Sequence, residues 1–478
     1  MEGWIPREKR RLPAMARRSK EPNQQLATLI AEAGFSSKGL ARRVVGLGRM
    51  RGYRNLKYNH SSVERWLRGE QPRRPTPELL SDVFGAALGR PVSLVMLGMA
   101  QERTGDGAAL HIQPTPADAA RIVRTLTEGD LQRQRVLMLS DFDLAAYSSA
   151  ALRWLLAPRS TMPANKGTRR IGMADVEEIR EATGAFRVLD NRLGGGRIRP
   201  TVVDYLHTDI APLLRQGRCT EEVRRHLFSA AAELTQLAGW QAYDLEMQGL
   251  AQRYLVQALT PARFADDEGL GGEILAAMSH QAAYVAQPEH AIDMALAAQL
   301  AGRRAGLPVL ETESIVMEAH GHALRRDAGS CSRALRRAET VFSHTTTGSD
   351  QPAWLSYFDE AYFAAKIAHC FHALGQGAQT EKYALRSLDM NPRYIRGKAF
   401  NTALLAIGYA LQDQLDQACT HGREAIDLTG SLESARATTY VRRLLAELAP
   451  HDQEEQVRGL RSYAEATLPA LRQRAARR

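Results

Sequence analysis

A chain of 478 residues is too long for one ordinary hydrophobic core, so we expect two or more domains. Its 44% hydrophobic and 24% charged residues, with few aromatic ones, are typical of a globular protein rich in helix-forming residues. No apolar run approaches the ~18 residues of a membrane span, and no apolar segment of a secretion signal follows the first basic residues. We therefore expect no membrane partner and a cytoplasmic protein. The four widely separated cysteines predict neither a zinc site nor disulfides, and nothing indicates a cofactor.

The net charge of +10 is concentrated near the N-terminus. Residues 1–74 contain 18 Lys or Arg against 6 Asp or Glu, whereas the remaining 404 residues sum to about −2. A basic cluster confined to one small region is typical of a module that binds a polyanion. For residues 1–21 we expect a solvated basic tail that is flexible.

Residues 22–99 have the helical periodicity of a small domain. A first helix starts near Pro22 and ends at Gly34, and Ser36 or Ser37 caps a second helix that ends near Gly46 and Gly48. The loop that follows, GLGRMRGYRNLKYNH, combines cations, tyrosines and glycines, a composition suited to touching phosphates.

A short helix in HSSVERWLRG is the candidate recognition helix. Val63 and Trp66 share its apolar face and are expected to anchor it, while its polar face carries Ser61, Ser62 and Arg65. Beyond it, TPELLSDVFGAALG predicts a fourth helix that closes the core.

These residues resemble the phage Cro/repressor-type helix-turn-helix. The matching positions are Ser61, Val63, Arg65, Trp66, Gly69, Pro72 or Pro75, Leu79, Leu80, Leu88 and Gly89. The resemblance implies that Ser61, Ser62 and Arg65 face base edges in the major groove of double-stranded DNA, while Ser37 meets a phosphate. Further backbone contacts are expected from Arg42, Arg43, Arg49, Arg51, Arg54, Lys57 and Arg68. The long basic loop and Trp66 depart from the family pattern, which predicts unusual docking.

Residues 100–118 have the composition of a linker, and residues 119–228 predict a helical middle region without a legible function. Within it, Gly194–Gly196 follows no predicted strand and precedes no Lys-Ser/Thr pair, so we expect a turn between helices instead of a phosphate loop.

Residues 229–448 repeat a helical-hairpin pattern, and residues 449–478 predict a C-terminal helix or tail. The pattern is a triplet of small or apolar residues at x, x+4 and x+7, whose first members stand 40, 40, 47 and 40 residues apart. The triplets are Ala251, Leu255 and Ala258; Ala291, Ala295 and Ala298; Cys331, Leu335 and Ala338; Ala378, Lys382 and Leu385; and Ala418, Gly422 and Ala425. Gly239, Ser279, Ala319 and Ala406 stand twelve residues before four of these anchors, and Lys366 breaks the series.

The repeats resemble tetratricopeptide repeats with a longer period. The expected fold class is all-α, an N-terminal helix-turn-helix domain followed by a tetratricopeptide-like solenoid whose concave face binds a peptide or protein effector. The whole layout resembles a family of actinobacterial transcriptional regulators, related to those that control development and antibiotic production. It implies a nucleoid-associated regulator, a repressor more than an activator, that acts as a homodimer.

Two other classes of function remain open. Six histidines of the repeat region, His280, His290, His320, His322, His369 and His372, suggest an enzyme, but no metal-binding or nucleophile motif joins them, so we expect no catalysis and no metal. A solenoid adaptor whose N-terminal domain binds protein instead of DNA is the second alternative.

Overall fold

The structure, a computed structural model, describes 22–51, 53, 56–72, 75–88, 92, 96–99, 107–156, 167–345 and 351–471. The predicted tail at 1–21, the phosphate candidate Arg54 and residues 472–478 lie outside the described residues. The chain divides into two compact units, residues 1–104 and 105–478, which are described separately below.

The N-terminal unit contains α1 (Gln24–Glu32), α2 (Ser37–Met50), α3 (His60–Leu67) and α4 (Thr76–Leu88). Side chains of Asn23, Ser36 and Asn59 cap the first three helices by accepting backbone N–H bonds. A small core unites the four helices: Leu26, Leu29, Leu40, Ala41, Val44, Val63, Trp66, Leu79, Leu80, Val83, Phe84, Val92 and Leu97.

The second helix is longer than the sequence predicted. A Cβ added to Gly48 would lie 2.4 Å from Leu56 Cδ1 and 3.3 Å from Leu79 Cδ1, so glycine here permits close packing. The predicted end near Gly46 and Gly48 falls slightly short of the observed end at Met50, because this packing outweighs the ~1 kcal/mol that a glycine costs inside a helix. The connection to α3 is therefore shorter than the predicted loop.

The C-terminal unit begins with a helical region that includes residues of the predicted linker. Its helices are α5 (Pro116–Leu131), α6 (Arg135–Met138), α7 (Leu144–Leu156), α8 (Met173–Leu193), α9 (Gly195–Tyr205) and α10 (Ala211–Gln216), and a π-helical turn, Leu206–Ile210, joins the last two. In the described residues the strands are β1 (Arg169–Arg170) and β2 (Gly217–Arg218), paired in parallel. Ile112 is buried and the Gln113 N–H bonds Thr260, so this end of the predicted linker belongs to the folded unit.

Five helical hairpins follow, as predicted. They are α11 (Glu221–Asp244) with α12 (Gln248–Ala265), α13 (Glu268–Tyr284) with α14 (Pro288–Ala305), α15 (Pro308–Leu324) with α16 (Ala328–Ser343), α17 (Glu360–Ala373) with α18 (Gly377–Ser387), and α19 (Ile395–Ala410) with α20 (Leu415–Gly430). The last helices are α21 (Ala435–Glu447) and α22 (Glu455–Thr467). The all-α solenoid class is confirmed, and no helix of the described ranges is long and apolar enough to cross a membrane.

Four of the five predicted triplets are buried on the second helix of a hairpin. The fourth is in the wrong register, because Ala378 and Lys382 are exposed and Leu385 is 45% exposed. The buried residues of α18 are Gly377, Thr380, Ala384 and Ser387. The extra residues of the 47-residue interval precede α17. Because the sequence does not show how many residues are inserted there, it does not fix the register of α17 and α18. Counted from Gly377, the small residue twelve positions earlier is Ala365, so Lys366 does not interrupt the series.

The solenoid turns back on its own beginning at Gly194–Gly196. The Gly196 N–H donates to the Glu433 carbonyl at 2.8 Å, and the Glu433 N–H donates to the Leu193 carbonyl at 2.9 Å. Gly194 has φ +85°, and its added Cβ would lie 2.8 Å from the Glu433 backbone, so only glycine permits this approach. This glycine seam joins the start of α9 to the segment between α20 and α21.

Candidate functional site

The candidate recognition helix α3 is fixed by its N-terminal cap and by its apolar face. Asn59 accepts the Ser62 N–H at 3.1 Å, and the Ser62 hydroxyl lies 3.4 Å from the Asn59 N–H as its acceptor. Val63 and Trp66 are buried, and Trp66 packs edge-on against Tyr58 with 5.1 Å between ring centroids. The helix therefore begins at an Asn59 cap, and the Ser62 side chain takes part in that cap.

The predicted base-reading residues do not share one exposed face. Ser61 and Arg65 are exposed, whereas Ser62 is only 3% exposed because its hydroxyl belongs to the cap. The expectation that Ser62 points away from the core is corrected accordingly. Arg65 Nε lies 3.7 Å from Glu70 Oε2 in a solvent-exposed pair, the kind that contributes at most ~1 kcal/mol and exchanges readily for another anion.

Ser37 has a different partner from the predicted phosphate. Its hydroxyl donates to Glu64 Oε1 at 3.0 Å, which links the first turn of α2 to α3. A serine has one hydroxyl hydrogen, so in this arrangement it has none to donate to a phosphate. Sequence reasoning missed this contact because Glu64 lies on a different helix, and a carboxylate on a polar helix face is usually solvated.

The predicted phosphate-contacting cations that the structure describes are all exposed: Arg42, Arg43, Arg49, Arg51, Lys57 and Arg68. Three of them have protein partners. The Arg43 guanidinium lies 4.5 Å above the Phe35 ring, and Arg51 Nη1 lies 2.5 Å from Asp82 Oδ2. Arg68 Nε donates to the Glu64 carbonyl at 3.2 Å. Arg49 is in the last turn of α2 instead of the predicted loop.

The connection between α2 and α3 is anchored at two points. Leu56 packs against Gly48, and the Tyr58 hydroxyl lies 2.7 Å from Thr76 Oγ1 in a hydrogen bond. Lys57, between them, is exposed. The end of the basic connection is thus held beside α3 with its cation directed to solvent.

The C-terminal unit encloses a cavity of about 1570 Å³ on the concave side of the solenoid. Side chains from α8, α11, α13, α15, α17, α19 and α21 line it, so the two ends of the solenoid meet around one space. Its aromatic walls include Trp240, Tyr357, Tyr362, Phe400 and Tyr440. The volume exceeds the ~300–1,000 Å³ of a typical small-molecule site.

Two carboxylic acids meet at one hydroxyl group in this cavity. Tyr357 Oη lies 2.8 Å from Glu273 Oε1 and 2.7 Å from Glu313 Oε2, and the Tyr362 hydroxyl lies 3.2 Å from Glu313 Oε1. Burial raises the pKa of Glu273 well above its usual range, with a further contribution from Glu313, and burial also raises the pKa of Glu313. Lys366 lies nearby, 4.8 Å above the Tyr362 ring, and burial lowers its pKa to about 7.

The sequence contained a signal for this carboxylate pair that sequence reasoning missed. Glu273 and Glu313 stand 40 residues apart, at the same position of α13 and α15, and Glu233 of α11 precedes them by the same interval. Two of the histidines that suggested chemistry lie together, His320 and His369, with 5.8 Å between ring centroids, and the hydrogen-bond partners of His280 and His369 are tyrosines. His280 bonds the Tyr243 hydroxyl, His369 bonds that of Tyr440, and burial lowers the pKa of His320 to about 3. Within the described residues, no group of three or more His, Cys, Asp or Glu side chains could hold a metal ion.

A buried guanidinium occupies another part of the cavity wall. Arg436 is 2% exposed and lies 4.1 Å from the centroid of the Tyr243 ring and 4.8 Å from that of Phe400, with Trp240 and Tyr284 also within 6 Å. Cation–π attraction from these rings compensates its charge. Burial opposes ionisation of this group, but the surrounding tyrosines and Asp244 outweigh burial and raise its pKa.

Comparison with known proteins finds a likeness for the N-terminal unit. Residues 26–100 match the family model described as the SP15 N-terminal domain. These residues contain α1 to α4 and most of the exposed cations described above. Neither the comparison with curated proteins nor that with solved structures found a match.

Proposed function

We propose that the chain is a sequence-specific DNA-binding transcriptional regulator, a repressor, whose solenoid serves dimerisation and the sensing of a peptide or protein effector. The layout resembles that of actinobacterial regulators of development or secondary metabolism, and the proposed location is the cytoplasm, on the nucleoid. The observation that carries the proposal is the division of α3, which buries Val63 and Trp66 and exposes Ser61 and Arg65 beside a row of exposed cations.

The proposed interaction separates reading from holding. Arg65 presents a guanidinium that can make two hydrogen bonds to guanine, and such a pair contributes ~1–3 kcal/mol of discrimination against other bases. The exposed cations of α2 and of the connection, among them Arg42, Arg49 and Lys57, supply affinity for phosphates that falls with salt and ignores sequence. Ser61 stands one turn before Arg65 on the same exposed face.

The test begins with chromatin mapping of the intact protein, which is expected to return one preferred sequence. Binding of that sequence and of a scrambled duplex is then measured for Arg65→Ala and for Arg68→Ala, an exposed arginine on the adjoining turn. Arg65→Ala is expected to lose ~10- to 100-fold in preference. Arg68→Ala is expected to weaken both duplexes equally and to reduce the salt slope by about 1.

The absence of any preferred sequence, or an equal effect of both substitutions on preference, overturns the DNA-reading role. A protein-binding adaptor is the function that would then remain. The dimer is tested separately by sedimentation of the full chain, free and on the mapped site. Two half-sites in a palindrome and a dimer on DNA are expected, because two-fold symmetric proteins match two-fold symmetric operators.

A further inference from the structure

Buried carboxylates in the C-terminal unit follow one rule with two exceptions. In the described part of the unit, those of Asp130, Asp190, Glu233, Asp244 and Glu318 each pair with at least one arginine. Glu273 and Glu313 are equally buried, but among the described residues neither forms a direct ion pair with an arginine; Arg187 acts on Glu273 and the buried Lys366 acts on Glu313 from further away. A buried carboxylate without a directly paired cation is costly, so two of them in one cavity call for a physical explanation.

The local hydrogen bonds leave part of the pair unsatisfied. The Tyr357 hydroxyl has one hydrogen, so it can donate to Glu273 or to Glu313 but not to both. Gln236 donates to Glu273 Oε1 at 3.2 Å, but Glu273 Oε2 is buried and has no hydrogen-bond partner among the described residues. Glu273 is 6% exposed and lines the cavity, so its Oε2 atom can accept a hydrogen bond from a ligand in the cavity.

The charge of the cavity and the side chains of its walls favour the same kind of ligand. Ten carboxylic acids but only six Lys or Arg side chains line it, which favours a cation. The aromatic ring of Tyr357, beside the pair, offers a face that attracts a cation and a flat surface for an apolar body. Lys366 and Arg436 already lie over the rings of Tyr362 and Trp240. A metal ion is a poor fit, because the pair supplies only two carboxylates and no third His, Cys, Asp or Glu ligand joins them within the described residues.

We propose that the solenoid cavity binds an organic cation, a primary ammonium group on an aromatic or apolar body, with the ammonium donating to Glu273 Oε2 and lying between Glu273 and Glu313. The proposal deepens the effector-sensing part of the proposed function and rests on it for its regulatory meaning. A free amine and the lysine side chain of a peptide share this chemistry. Arg436 offers no comparable site, since four aromatic rings already surround its guanidinium.

The resting pair and the occupied pair differ by one proton. Without a ligand, the pair retains a proton that one carboxyl group shares with its neighbours, in keeping with the raised pKa of both groups. An ammonium N–H takes the place of that proton, which leaves to solvent. Affinity is therefore expected to rise with pH as the pair loses that proton, and deprotonation of Lys366, whose pKa is about 7, adds to the rise by removing a competing cation. Other charged or titratable groups interact electrostatically with the pair or with Lys366. They are Arg187 of α8, His280 of α13, His320 of α15, Tyr357 before α17, Tyr362, His369 and Cys370 of α17, and Arg436 of α21.

The test uses the full chain without DNA and measures thermal unfolding and calorimetric binding. The probes are phenethylamine, tryptamine, spermidine and Nα-acetyl-lysine amide, the last representing a peptide side chain, and each is compared with its N-acetylated, uncharged form. At least one probe is expected to raise the midpoint of unfolding, because a ligand that binds only the folded state stabilises it. Its acetylated form is expected to have no effect. A preference for Nα-acetyl-lysine amide, which keeps its side-chain ammonium group, over the free amines identifies a peptide as the source of the cation.

Glu313→Gln and Glu318→Gln, both on α15, provide a matched comparison. Glu313→Gln and Glu273→Gln each remove one charge of the pair and are expected to lower affinity for the active probe ~10- to 100-fold, the effect of one charge-assisted hydrogen bond. Glu318→Gln alters a buried glutamate of the same helix that pairs with Arg337 outside the cavity, and it is expected to leave affinity unchanged.

The proposal is overturned if no probe stabilises the protein, if an acetylated probe stabilises it equally, or if Glu273→Gln and Glu313→Gln, folded by circular dichroism, bind as tightly as the natural chain. Since DNA is absent from these measurements, failure of the DNA-reading role leaves their outcome unaffected. A cation that binds while mapping finds no preferred sequence separates the two conclusions.

Discussion

The two units handle positive charge in opposite ways. In the N-terminal unit the cations lie in water, and the Arg51 side chain remains 47% exposed even while paired with Asp82. In the C-terminal unit, Arg396 is buried between Asp190 and Asp244, with 2.7 Å from its Nη2 to Asp190 Oδ2. Water weakens each surface pair and leaves the cation ready for another anion, whereas a buried cation is held by partners that cannot leave. The same residue type is thus available to outside partners in one unit and fixed inside the fold of the other.

The largest effect is expected from Arg396→Met. Removal of this guanidinium leaves Asp190 and Asp244 buried without their principal partner, and loss of one member of a buried pair costs ~3–5 kcal/mol. Chemical denaturation at neutral pH measures the free energy of unfolding. Arg225→Met is the control, because Arg225 pairs with Glu221 on the exposed face of α11 and its loss is expected to cost under ~1 kcal/mol. Equal costs for the two substitutions would break the contrast between buried and exposed pairs.

A second, pH-dependent effect is expected from Lys366→Met. Burial lowers the pKa of Lys366 from 10.5 to about 7, so at and below pH 7 the folded chain carries a cation that the unfolded chain solvates better. This penalty declines as pH rises from 7 and disappears above 10.5. The variant is therefore expected to be more stable than the natural chain by a few kcal/mol at pH 7, with the gain falling ~1.4 kcal/mol per unit towards pH 9. A gain that stays constant over this range contradicts the assignment.

The smallest effect on stability is expected from Arg51→Ala. Its half-exposed pair with Asp82 contributes under ~1 kcal/mol, while loss of a phosphate-contacting cation is expected to weaken all DNA equally and to reduce the salt slope by about 1. Asp82→Asn breaks the same pair but keeps the cation, so it sharpens the comparison. It is expected to match Arg51→Ala in stability without weakening DNA binding. Weakened binding by both variants would assign the effect to the pair instead of the charge.

Local sequence patterns predicted the hairpins well, because small residues at helical spacing fix which faces of neighbouring helices can approach. Ala251 and Ala291 illustrate this, and both are buried as expected. Ser62 shows where such patterns fail, since its burial depends on a reciprocal cap with Asn59 instead of on its place on the polar face. The carboxylate pair was missed for another reason. Glu273 and Glu313 recur at the 40-residue interval and meet because α13 and α15 pack side by side, but small residues alone defined the repeat. The cavity needs helices from both ends of the solenoid, which no local pattern predicts.

The glycine seam changes what kind of folding reaction this solenoid undergoes. An open repeat array depends on neighbour-to-neighbour contacts, so it frays from its ends and tolerates the loss of a terminal repeat. Here the bond from the Glu433 N–H to the Leu193 carbonyl spans 240 residues, and Gly196 adds a second one beside it. Loop closure over such a distance is slow, and it couples the first helices to the last. The C-terminal unit is therefore expected to unfold in one cooperative transition. Removal of the residues beyond Gly430 is expected to destabilise α8 and α9, which precede the first hairpin of the solenoid.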